Sequence, residues 1–176
     1  MGEVRTCIIA ALVENRPGVL YSVANMFRRR NFNIDSITVG AVNGDLARMT
    51  ITIKGDEKTV EQLVKQLRKL IDVVKVSILD PTSTVTRELA LIKINAPEAR
   101  VRADVLHYVD IFRGHVVDAS PETLIVEITG GPDKIDAFIE LMKTFGVKEL
   151  VRTGIAALSR GSKSIDVNFN PEEGET

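Results

Sequence analysis

The hydrophobic pattern of this chain changes period repeatedly, and each change marks an element. Residues 5–13, RTCIIAALV, form an apolar run short enough for a buried strand. ENRPG interrupts it with Asn15 and the Pro17-Gly18 pair. Over residues 17–30 the period becomes helical: Leu20, Val23, Ala24 and Phe27 share a stripe, with Ser22, Asn25 and Arg28 turned away. Residues 34–42 read as a strand again, and Asn43-Gly44-Asp45 predicts a hairpin turn. In ARMTITIK, Ala47, Met49, Ile51 and Ile53 take one face while Arg48, Thr50, Thr52 and Lys54 take the other, as in a half-solvated antiparallel strand. A helix over 57–71 carries Val60, Leu63, Val64, Leu67 and Ile71, with Glu61 and Lys65 spaced for an i,i+4 ion pair. Val74, Val76 and Ile78 alternate as a closing strand.

This order is β-α-β-β-α-β, the split βαβ or ferredoxin-like unit, and it occupies residues 1–80. Residues 81–84 read as a linker, after which the same order repeats over 85–161. Residues 85–95 form a strand, and a helix over 98–112 turns Val105, Leu106, Val109 and Phe112 inward. A short strand over 115–119 follows, then the Ser120-Pro121-Glu122 turn and the alternating Leu124, Val126 and Ile128. Gly130-Gly131-Pro132-Asp133 opens a helix bearing Ile135, Phe138, Ile139 and Met142; Gly146 stops it, and residues 150–158 form the final strand. The fold class is α+β, two tandem ferredoxin-like units, with a polar tail over 162–176 expected to fray.

Composition narrows the function classes. The chain has 176 residues, 44% of them apolar and 27% charged, which is enough to bury a core. Lys and Arg number 23 against 24 Asp and Glu, which removes the simplest electrostatic case for nucleic acid. Cys7 is the single cysteine, so neither an intrachain disulfide nor a cysteine-cluster metal site can form. The apolar stretch of residues 7–13 falls far short of a membrane span, and no secretory leader pattern opens the chain. A soluble cytoplasmic protein is expected.

Catalytic signals are sparse. His107 and His115 are the only histidines, one in a helix and one at a strand start, where structural or surface roles suffice. Cys7 lies in an apolar strand, where a thiol is usually inert. No phosphate-binding glycine motif and no H-E-x-x-H occurs. Gly130-Gly131 could present free N–H groups to an anion or serve as a plain turn before Pro132. Arg28-Arg29-Arg30 suits a helix C-terminus. The suggestive place is residues 14–20, ENRPGVL, between a buried strand and a helix start. Free N–H groups there can take a carboxylate, Gly18 permits close approach, and Asn15 offers both a donor and an acceptor. A helix-start turn with no ligand explains the same residues.

This loop resembles the start of an ACT domain, a ferredoxin-like module that senses amino acids. ALVENRPGVL, RRRNFNIDSITVG, ARMTITIKGDE and QLRKLIDVVKV in the first half, with TRELALIKI, DIFRGHVVD and IAALSRG in the second, together resemble the small subunits of acetolactate synthase. The likeness runs from about residue 6 to 161. It implies a non-catalytic regulatory subunit with no catalytic and no metal-ligating residues of its own. Such a subunit binds and activates a thiamine-diphosphate-dependent catalytic large subunit and confers feedback inhibition by valine in branched-chain amino-acid synthesis. Thiamine diphosphate, Mg²⁺ and FAD would belong to that partner. Carried over by position, the effector site falls on Asn15, Gly18, Val19 and Leu20, completed by Asn33 and Ile34 of the second chain of a homodimer formed through ACT domains. Neither nucleic acid nor membrane is expected as a partner. A stand-alone ACT-type sensor of another enzyme or a transcription factor is the alternative, and the second-half segments count against it. A small ferredoxin-like enzyme or RNA binder would need a reactive cluster or a basic, aromatic sheet.

Overall fold

In the computed structural model, which describes residues 4–165, the first apolar run becomes β1 (Arg5–Glu14). It leads through a tight loop into α1 (Val19–Arg29), then β2 (Ser36–Ala41) and β3 (Leu46–Gly55). The hairpin between them turns where expected: Asn43 Oδ1 accepts the N–H groups of Asp45 at 3.1 Å and Leu46 at 2.8 Å. α2 (Glu57–Leu67) and β4 (Val73–Leu79) complete the unit. Asp56 caps α2 by accepting Thr59 N–H at 2.8 Å, and hydrogen bonds from the Thr59 hydroxyl and N–H hold its carboxyl below the usual range. The sheet is antiparallel in the order β2-β3-β1-β4. Ile9, Ala11, Met49 and Ile51 on one sheet face pack against Val23 and Phe27 of α1 and Leu63 and Leu67 of α2. Each large side chain in that layer stabilises the fold by about 1.5–3 kcal/mol.

After a single 3₁₀ turn at Pro81–Ser83 the second unit follows the same plan: β5 (Thr84–Asn95), α3 (Ala99–Ile111), β6 (His115–Ala119), β7 (Thr123–Gly130), α4 (Pro132–Lys143) and β8 (Val147–Arg152). Its sheet path is β6-β7-β5-β8, and Ile92, Val126, Ile128 and Phe138 lie at the centre of its core. Glu88, buried on β5, receives Arg152, which also donates to Asp136 at 2.7 Å. Burial opposes the Arg152 charge, but these hydrogen bonds more than offset it and raise its pKa. The two tandem βαββαβ units expected from the sequence are present.

Several local expectations are corrected. α1 turns Val19, Val23, Met26 and Phe27 inward, so the stripe is rotated and Leu20 (52% exposed) and Ala24 face out. α2 ends at Leu67 rather than at residue 71, leaving Ile71 88% exposed. Leu106 is also exposed, with α3 buried through Val105 and Val109. The last strand is two, β8 and β9 (Ala156–Ser159). The polar face of β3 is only partly solvated: Lys54 is exposed and Arg48 half-buried, but Thr50 and Thr52 are buried, and Ser36 and Thr52 share a 2.6 Å hydroxyl hydrogen bond.

The chain divides into two compact units, one running to Val85 and taking up residues from Ala157 onward, the other being Thr86–Ala156. The returning segment supplies part of the cover for the first sheet. Ala157 O accepts Arg48 at 2.9 Å, Arg160 N–H donates to Ser83 O at 2.7 Å, and Ile165 is buried. The sequence alone predicts that residues up to 161 belong to the second unit and that residue 165 lies in a fraying tail. The rest of that tail lies outside the described residues.

The candidate effector-binding site

The loop after β1 is tied down at three points. Asn15 N–H donates to Asp45 O at 2.7 Å, and its Nδ2 reaches Gly44 O at 3.4 Å. Glu14 N–H donates to Asp72 O at 2.9 Å. Arg16 Nε donates to Asp72 Oδ1 at 2.8 Å, with Glu14 Oε2 at 2.9 Å and a second contact from Nη2 to Asp72. The Asp72 hydrogen bond and charge, helped by Glu14, push the Arg16 pKa above its ordinary value. Asp72 is nearly buried while Arg16 faces solvent, so the carboxylate anchors the guanidinium and the loop with it.

Gly18 then reverses the chain into α1 at φ +93° and ψ −17°, left-handed backbone that favours glycine. The helix it opens has no side-chain cap and no acidic residue in its first turn. Val19 N–H makes only a 3.5 Å contact to Arg16 O, and no acceptor among the described residues meets the Leu20 and Tyr21 N–H groups. Asn15 Oδ1 likewise has no donor among them. α2 shows the contrast, since Asp56 and Glu57 supply its cap and first-turn carboxylates. The end of β1 therefore gathers N–H donors, the positive end of a helix dipole and an amide oxygen, groups that suit a carboxylate beside an ammonium.

Asn15, Gly18, Val19 and Leu20 are thus brought together, whereas Asn33 and Ile34 are not among them. β1 and β2 both run antiparallel to β3 and so run in the same direction. Glu14 pairs with Leu46 and Ser36 with Thr52, which puts Asn33 at the far end of the sheet, about 20 Å away at ~3.4 Å per residue. There Asn33 is exposed, donating to Asp35 Oδ1 at 3.4 Å, while Ile34 packs half-buried on the core. Val19 points into that core, so what it offers the loop is backbone.

The sequence reading missed Arg16 and Asp72. The alternation of Glu14 and Arg16 hints at an ion pair, but nothing local marks Asp72, 56 residues on. Nor does the sequence say which sheet edge is left open, and the structure gives the one beside α1. α2 packs on β4, so α1 lies toward β2, the opposite edge of the sheet. Leu20 and Ala24 occupy the flank of α1 turned away from α2, and Val39 on β2 is 45% exposed, leaving an uncovered apolar strip. No helix among the described residues is long and apolar enough to cross a membrane.

Residues 9–75 match the family described as AHAS small subunit-like ACT domain, and residues 87–161 match the small subunit of acetolactate synthase. A probable acetolactate synthase small subunit of Methanothermobacter thermautotrophicus is 54% identical over 164 residues, covering 93% of this chain and 98% of that one. The acetolactate synthase small subunit of Aquifex aeolicus is 46% identical, covering 99% and 88%. The crystal structure of the Thermotoga maritima small subunit superposes with a TM-score of 0.84 at 46% identity, over 90% of this chain and 99% of that one. With both units matched and these relatives covered almost end to end, the chain belongs to the acetolactate synthase small-subunit family.

Proposed function

We propose that this protein is the regulatory subunit of acetolactate synthase, a valine sensor that binds and activates the catalytic large subunit and does no chemistry of its own. Thiamine diphosphate, Mg²⁺ and FAD are then held by the catalytic partner. The family match across both units supports this partner over a stand-alone sensor.

The observation that carries the sensing role is the incomplete half-site at the start of α1. A two-fold axis pairing β2 with β2 of a second chain reverses strand direction across the interface. It brings the partner's Asn33 and Ile34 to the sheet end where Asn15 and Gly18 lie. The same pairing satisfies the edge of β2 and covers Leu20, Ala24 and Val39. Valine's carboxylate takes the Leu20 and Tyr21 N–H groups, its ammonium meets Asn15 Oδ1, and its side chain enters the apolar strip. Discrimination among aliphatic effectors is then modest, about 1–3 kcal/mol. Because valine binds between two chains, it favours one dimer arrangement and alters the surface offered to the catalytic subunit. Typical coupling is about 1–3 kcal/mol, roughly 5- to 150-fold in affinity.

Calorimetric titration of valine into the full chain and into Asn15→Ala, with lysine as comparison, tests this reading. Saturable valine binding, weakened about tenfold or more by the substitution and absent for lysine, is expected. No heat and no thermal shift at millimolar valine would remove the site.

A further inference from the structure

α1 and α2 leave between them a groove of about 300 Å³ whose purpose the effector site does not explain. Its floor is Met26, buried, and Leu70, half-buried against the core; its rim is Arg29, Arg30 and Lys69, all exposed. Arg30 donates to Gln66 across the groove at 2.9 Å. No carboxylate lines it, and α1 contains no acidic residue. Some cations elsewhere are matched, as in Lys65 with Glu61, Lys93 with Glu149 and Lys143 with Glu140. Among the described residues Arg29 and Lys69 have no such partner.

On a chain of formal net charge −1, three cations gathered around one groove are a local choice that self-repulsion opposes. An acidic partner removes that repulsion, and the guanidinium forks match carboxylates in pairs. Apolar floor and cationic rim together describe the occupant: an aliphatic side chain flanked by Asp or Glu on an acidic protein segment. Met26 adapts readily to such a side chain. The groove lies on the α2 side of α1, away from the β2 edge, so a dimer formed through β2 leaves it open.

We infer that the α1–α2 groove docks an acidic segment of the acetolactate synthase catalytic subunit, an inference that rests on the regulatory-subunit reading. A groove of this size is an anchor within a larger interface, and its charges set register and encounter rate.

The test measures binding of the cognate catalytic subunit to the full-length chain from low to high salt. It compares wild type, Arg29→Glu with Lys69→Glu, and an off-groove control of identical charge change, Arg100→Glu with Lys58→Glu. The groove pair should lose at least about thirtyfold in affinity and much of the salt dependence, and the control at most about threefold. Dimer mass and valine binding should be unchanged in both. The neutral pair Arg29→Gln with Lys69→Gln should fall between and guards against misfolding of the reversal. Retained affinity in both groove variants, or an equal loss in the control, overturns the assignment. So does binding of a short RNA by wild type that the groove variants abolish while keeping the catalytic subunit. Absence of wild-type binding at low salt would instead strike the regulatory-subunit reading, which separates the two failures.

Discussion

Replacing Gly18 by alanine isolates what the effector loop asks of the backbone. The residue sits at φ +93°, where a side-chain-bearing residue carries a left-handed penalty of about 1–2 kcal/mol. The new Cβ would meet no atom within 4 Å, so no steric clash adds to it. Alanine also restricts the unfolded chain, which returns about 0.4–1 kcal/mol. The net expectation is a loss of about 1 kcal/mol. Thermal unfolding followed by circular dichroism reads this directly. Tm should fall by about 4–8 °C if the first unit, of about 90 described residues, unfolds alone, or about 2–4 °C if both units unfold together. Gly18→Asn should cost less, because asparagine tolerates positive φ. Valine affinity should fall more than stability does, since relaxing φ rotates the Leu20 and Tyr21 N–H groups that would hold the carboxylate. A Tm within about 1 °C of wild type, with valine binding intact, would refute the claim that a left-handed turn shapes this loop.

Three further perturbations probe other parts of the account. Asp56→Ala should flatten the acid limb of stability. Its carboxyl titrates below the usual range when folded, so its contribution is present above the ordinary carboxylate pKa and lost as pH falls through the folded value; urea unfolding from pH 6 to about 3 would show it. Arg152→Met strands buried Glu88 and should destabilise the second unit by about 1–3 kcal/mol, seen as a lower denaturant midpoint at unchanged slope. Val39→Lys places a charge on the β2 edge and should shift the proposed dimer to monomer by light scattering, weakening valine binding with it; a dimer unaffected by the substitution would move the interface elsewhere.

The elements that could be read from sequence are those whose signals are local. Alternation in ARMTITIK marked β3 and its inward face, and Asn43-Gly44 marked the hairpin. Asn15 and Gly18 stood out because a turn and a helix start meet there. What failed depends on distant packing. Leu20 and Ala24 fit an apolar stripe as well as Val19 and Met26 do, and only the position of the sheet beneath α1 decides between them. Thr50 and Thr52 are polar by type, yet they are buried on a sheet face that the returning segment around Ala157 helps to cover, more than 100 residues later. Asp72 shows no local sign that it anchors Arg16.

Reconstitution with the catalytic subunit reads the regulatory role itself. Acetolactate formation by the cognate catalytic subunit would be followed with and without this chain, across a valine titration. The rate should rise when the chain is added, valine should suppress it only in the chain's presence, and Asn15→Ala should shift suppression to higher valine. A rate that ignores the chain, and a valine response no different with it than without it, would contradict the account.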